Sequence, residues 1–101
     1  ILKVFLHNSG INGSDWELLG DNLAGAPIKG IDVAIDSDQN LYVTFADGNY
    51  EDKVSVLKYD GTEWNFVGQR GFSESATDAY LSMTLHNDFP CVVYTDLAMS
   101  N

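Results

Sequence analysis

The sequence predicts an all-β fold of antiparallel strands, and three observations carry that expectation. Apolar residues recur at every second position, as in Ile31, Val33 and Ile35 and again in Leu41, Val43 and Phe45, which is the period of a strand. Turn-forming clusters such as Asp36-Ser37-Asp38-Gln39-Asn40 and Asp60-Gly61 separate these runs. One unit also occurs about twice. Asp15-Trp16-Glu17-Leu18-Leu19-Gly20 returns 48 positions on as Glu63-Trp64-Asn65-Phe66-Val67-Gly68.

Each element follows in order. Leu2, Val4 and Leu6 alternate in the first segment, and His7 to Asp15 is a loop by composition. Trp16 to Leu18 forms a short strand that stops at Leu19-Gly20. Asp21 to Gly30 is rich in Gly and Ala, contains Pro27 and has no helical face. Ile31 to Ile35 and Leu41 to Asp47 are strands joined by the Asp/Ser turn, and Asp47-Gly48-Asn49 breaks the second. Val54 to Tyr59 is a third strand. Asp60-Gly61 turns it into a fourth that begins at Trp64. Ser73 to Asp78 is the one stretch able to form a short turn of helix. Tyr80 to Leu85 and Pro90 to Asp96 then repeat the first two strands.

A repeat of this length made only of strands reads as the blade of a β-propeller. Residues 31–68 spell one full blade of four strands. Residues 1–20 match strands three and four of a blade, and residues 79–96 match strands one and two. The expected architecture is therefore half a blade, a full blade and half a blade. Two blades cannot close a ring, so the complementary halves are expected to pair between copies. Leu2–Leu6 of one chain would meet Pro90–Thr95 of the next. Rings of four, six or eight blades then need two, three or four chains, and a homo-trimer, then a homo-tetramer, is expected.

The expected core is Ile31, Val33, Ile35, Val43, Phe45, Val56, Trp64, Met83, Leu85 and Val92, all in the apolar phase of their strands. Cys91, the single cysteine, lies in an apolar run and is expected to be buried. Neither His7 nor His86 has a recognisable catalytic setting.

Whole-chain numbers bound the function. With 101 residues there is room for one domain, and 45% hydrophobic against 20% charged residues is ordinary for a globular chain. The net charge of −10 is not ordinary. Only five Lys and Arg are present, so nucleic acid and anionic membrane surfaces are poor partners. No run approaches the ~20 apolar residues of a membrane span, and no signal-peptide pattern is present. The opening Ile1 is compatible with a processed or excised segment.

The motifs also resemble a family of bacterial and archaeal β-propeller repeats of just under fifty residues. The resemblance is carried by Val56-Leu57-Lys58-Tyr59-Asp60-Gly61-Thr62-Glu63-Trp64, Val67-Gly68, Gly71-Phe72-Ser73 and Val92-Val93-Tyr94-Thr95-Asp96. It covers residues 54–96 closely and 1–53 more loosely. The first copy has Leu23-Ala24-Gly25 where the second has Gly-Phe-Ser, and its hairpin loop is longer. The resemblance implies a binding or structural module of the kind found in large secreted or surface proteins.

Candidate sites are few. Trp16 and Trp64 are candidates to stack on sugars, although their fixed place in the repeat also suits packing. Asp36, Asp38 and Asn40 alternate as the start of a calcium loop does. Leu41 stands where that loop needs glycine, so a plain β-turn fits better. Asp47 and Asp96 end equivalent strands and would recur around one rim of a ring, where carboxylates can hold cations or sugar hydroxyls. No nucleophile–base pair, Cys/His metal spacing or phosphate-binding glycine loop is present, so no cofactor and no catalysis are expected. The expected function is a noncatalytic module for binding and assembly, with itself, a glycan or a protein as partner. The alternative is an excised part of a larger propeller enzyme such as a glycoside hydrolase.

Overall fold

A computed structural model describes residues 2–8, 15–20 and 27–98. The loop expected over residues 7–15 is shorter than that, since Phe5–Asn8 and Asp15–Leu18 are strands, and the segment expected at residues 21–30 is already strand from Ile28; residues 9–14 and 21–26 lie outside the described residues. Eight strands are present among the described residues: β1 (Phe5–Asn8), β2 (Asp15–Leu18), β3 (Ile28–Ile35), β4 (Leu41–Asp47), β5 (Lys53–Tyr59), β6 (Trp64–Phe66), β7 (Thr77–His86) and β8 (Phe89–Asp96). They form three antiparallel sheets: β1-β2, β3-β4-β5-β6 and β7-β8. The expected sheet of four over residues 31–68 is there. A short 3-10 turn covers Gly48–Tyr50. Ser73 to Asp78 forms no helical turn, because Thr77 and Asp78 already belong to β7.

The sheets stack face to face, with the four-stranded sheet in the middle. On one face, Leu2 and Val4, from the segment that leads into β1, pack on Val43, Phe45 and Leu57. On the other, Met83, Leu85 and Val92 of the β7-β8 sheet pack on Tyr42 and Val56. Strand β4 is consequently buried on both faces from Tyr42 to Asp47. This explains its nearly continuous run of large and apolar residues. Burying Val43 and Phe45 alone removes enough apolar surface to contribute roughly 3–6 kcal/mol.

The outer sheets match parts of the central one in register. In β3-β4, Ile35 pairs with Leu41, Val33 with Val43 and Ile31 with Phe45. In β7-β8, Leu85 pairs with Pro90, Met83 with Val92 and Leu81 with Tyr94. Both ladders are interrupted just beyond, between Lys29 and Ile31 and between Thr77 and Leu81. In β5-β6, Tyr59 pairs with Trp64 and Leu57 with Phe66. In β1-β2, His7 pairs with Trp16 and Phe5 with Leu18. The closing hydrogen bonds correspond as well: Val67 N donates to Val56 O at 2.8 Å, and Leu19 N donates to Val4 O at 2.9 Å.

Two features set how closely the layers approach. Gly30 has φ +62, and a Cβ there would lie 2.5 Å from the Ala79 carbonyl oxygen. Asp32 reaches across the same junction, accepting from Met83 N at 2.7 Å and from its neighbour Val33 N at 2.9 Å. The β7-β8 hairpin turns through Asn87 and Asp88, both with positive φ. That conformation suits a two-residue hairpin loop, and Asn and Asp tolerate it. The Asp88 carboxylate accepts from the backbone and hydroxyl of Ser37, tying the two hairpin turns together.

The core differs from the expected set in one systematic way. Val43, Phe45, Val56 and Met83 are buried, while Trp64, Leu85 and Val92 are half-buried. Ile31, Val33 and Ile35 are instead exposed by 61%, 54% and 54%. They share a face with Val43 and Phe45, as their alternation requires. The segment leading into β1, however, packs on that face over Val43, Phe45 and Leu57, with Ile28, Trp64 and Phe66 alongside, and leaves Ile31, Val33 and Ile35 open. Cys91 is likewise exposed rather than buried, because the outward face of β8 has no layer over it among the described residues.

Candidate functional site

The Asp/Ser turn folds around one carboxylate. Asp36 accepts from the backbone N–H groups of Asp38 and Asn40, both at 2.9 Å. It also accepts from the Asn40 side chain and the Tyr42 hydroxyl, both at 3.1 Å. Burial works to raise its pKa, but these four donors outweigh it and hold the carboxyl below its usual value. The Tyr42 hydroxyl is pushed up by burial and by its bond to Asp36. Asp36 and Asn40 therefore close a turn, while Asp38 stays exposed. No cluster of three or more His, Cys, Asp or Glu able to hold a metal occurs among the described residues.

Asp47 sits at the far end of β4, about 20 Å along the strand from that turn at the usual rise per residue. The two sets of acids therefore do not form one site. Its carboxylate is wholly buried and accepts from Arg70 Nε at 2.6 Å and Nη2 at 3.0 Å. Ser55 Oγ donates at 2.9 Å and Asn49 N at 3.1 Å. Burial again opposes ionisation, and Arg70, Ser55 and Asn49 more than offset it, so the pKa is lowered. Arg70 in turn stacks its guanidinium over Tyr50 and Phe66, 4.6 and 4.9 Å from the ring centroids. Asp96 ends β8 as Asp47 ends β4, yet it is exposed and, among the described residues, accepts only from Ala98 N, at 2.7 Å. The two equivalent acids thus differ: one closes a buried network, the other is open to solvent.

Trp64 is half-buried. Its indole N–H donates to the Leu19 carbonyl at 2.8 Å, and its ring lies 4.9 Å from that of Tyr59. The contact ties the central sheet to the end of β2. Trp16 is its counterpart in β2, lying edge-on to His7 at 5.0 Å but 64% exposed.

Two clefts have mainly apolar linings. One cleft of about 490 Å³ separates the first segment from the central sheet, lined by Leu2, Val4, Leu6, Ile31, Val33 and Val43 among others. A second, of about 240 Å³, lies between the central sheet and β8 and is lined by Val56, Val67, Phe72, Pro90 and Val92. Tyr80, Phe89 and Val93 stand out from the β7-β8 sheet. Among the described residues, no strand pairs with the second edge of β1 or of β8. Sequence reasoning singled out the carboxylates and missed Arg70, Ser55 and both clefts. Arg70 is signalled only by its scarcity, as one of five basic residues. Comparison with models of known families, with curated proteins and with solved structures yields no match.

Proposed function

We propose that this chain is a β-propeller segment, a full blade at residues 31–68 between two half-blades at 1–20 and 79–96, and that it serves as a noncatalytic assembly and binding module. The observation that carries this reading is the shared register. β7-β8 has the pairing of β3-β4, β1-β2 has that of β5-β6, and each has one free edge where the four-stranded sheet is joined. The chain's first partner is then a second copy of itself. A strand added to each free edge completes a blade through backbone hydrogen bonds and apolar burial. Three chains complete a ring of six blades and four complete one of eight, with three favoured.

The chemistry of the open surfaces supports binding rather than catalysis. Asp36 and Asp47 are tied into the fold by four donors each. Several large apolar and aromatic side chains also stand exposed, among them Phe5, Trp16, Tyr80, Phe89 and Val93, which suits a protein-binding surface.

Native mass spectrometry and sedimentation test the proposal. A single oligomer of defined copy number is expected at micromolar concentration. A well-folded monomer under those conditions would contradict it.

A further inference from the structure

We infer that the cleft lined by Val56, Val67, Phe72, Pro90 and Val92 is a socket for Phe5 of a second copy, and that Trp16 of that copy donates its indole N–H to the Val67 carbonyl. The inference rests on the assembly proposed above and adds to it a specific register and a specific occupant.

The template lies inside the chain. In the central sheet, Leu57 pairs with Val43 and packs in one cluster with Val4 of the preceding layer. From the same sheet, Trp64 donates to Leu19 O of that layer. The shared pairings make Phe5 the counterpart of Leu57, Trp16 of Trp64, Val92 of Val43, Val56 of Val4 and Val67 of Leu19. Replacing each residue by its counterpart places Phe5 of the incoming copy beside Val92 and over Val56, with Trp16 at the carbonyl of Val67. Val56, Val67 and Val92 line the cleft. Phe5 is 51% exposed on the free edge of β1, and Trp16 is exposed beside it on β2. Both are large apolar groups without cover, and the cleft is the complementary hollow.

The same substitution fixes the strand register. β4 pairs with β5 as Leu41 with Tyr59, Tyr42 with Lys58 and Val43 with Leu57. Across the new junction, Pro90 therefore pairs with His7, Cys91 with Leu6, Val92 with Phe5, Val93 with Val4 and Tyr94 with Lys3. Lys3, one of only five basic residues, then stands one diagonal position from the exposed Asp96, within reach of an opposite-charge pair. A slip of one residue would turn Phe5 away from the cleft.

Cys91 provides the test, because it is free and exposed. Antiparallel partners lie about 4.5–5.5 Å apart at Cα, inside the disulfide range of about 4.4–6.8 Å. The Leu6→Cys variant is oxidised with copper–phenanthroline, and its disulfides are mapped by peptide mass after native mass spectrometry. A link from position 6 of one copy to Cys91 of another is expected, absent in Leu6→Cys/Cys91→Ser and much weaker in Val4→Cys. In parallel, Phe5→Ala should raise the dissociation constant about tenfold or more, as loss of a buried aromatic anchor does, with its circular dichroism unchanged. An oligomer that links through position 4 instead of 6, or ignores Phe5→Ala, overturns this register and leaves the assembly standing. A monomer overturns both.

Discussion

Arg70 reaches from the loop after β6 to hold the buried carboxylate of Asp47 at the end of β4, with Nε at 2.6 Å and Nη2 at 3.0 Å. The pair joins two segments 23 residues apart, and Ser55 links it further to the backbone of Gly71 at 2.8 Å. The buried carboxylate is satisfied only while all of these donors are in place. Removing one partner of such a pair leaves an uncompensated charge. Asp47→Ala should therefore lose about 3 kcal/mol of stability in urea unfolding, the low end of the usual range because Arg70 keeps contact with water. A loss below about 1 kcal/mol would show the pair to be dispensable.

The same pair sets an acid limit. The Asp47 pKa in the folded state lies below the ordinary value of 3.8. A lowered carboxyl pKa stabilises the fold fully above the unfolded value, and that contribution disappears as pH falls through the folded value. Unfolding followed from pH 6 downward should thus steepen below about pH 4. Asp47→Asn should flatten that part of the profile. An unchanged slope in the variant would assign the acid sensitivity elsewhere.

Gly30 offers a test of how the layers meet. An added Cβ would strike the Ala79 backbone, and φ +62 strains any side chain. Gly30→Ala should cost about 2 kcal/mol, read as a fall in melting temperature. Gly61 also has positive φ, but nothing lies within 4 Å of its would-be Cβ, so Gly61→Ala should cost less. Equal losses at both positions would remove the clash as the cause.

Burial and exposure on one sheet face separate folding from assembly. Val43→Asp buries an unpaired carboxylate in the central strand and should unfold the chain. Val33→Ser lies on the same face but is exposed. It should change the monomer's stability by no more than about 0.5 kcal/mol while weakening association in sedimentation equilibrium. If Val33→Ser unfolds the chain instead, β3 is covered within one copy.

Charge should oppose association, since each copy carries −10. Raising sodium chloride from low ionic strength shortens the Debye length and should lower the dissociation constant. Weaker association with salt would mean that attractive ion pairs, rather than apolar burial, hold copies together.

How much was legible in the sequence differs by level. Alternation and turn residues were enough to place the strands of the central sheet, because strand period and turn conformation are local properties of the backbone. The Asp36 turn was legible too, since its donors lie within six residues. Repetition of the Trp block also pointed to which strands would share a register. Alternation says which residues share a face, but not what covers that face. The exposure of Ile31, Val33, Ile35 and Cys91 therefore emerged only when the layers were stacked. The same holds for the different fates of Asp47 and Asp96, which end equivalent strands. Arg70 reaches Asp47 by packing between distant segments, and Asp96 faces solvent. Local sequence carries no signal for a partner that arrives through tertiary contact, so the buried ion pair and the two apolar clefts were decided by the three-dimensional structure alone.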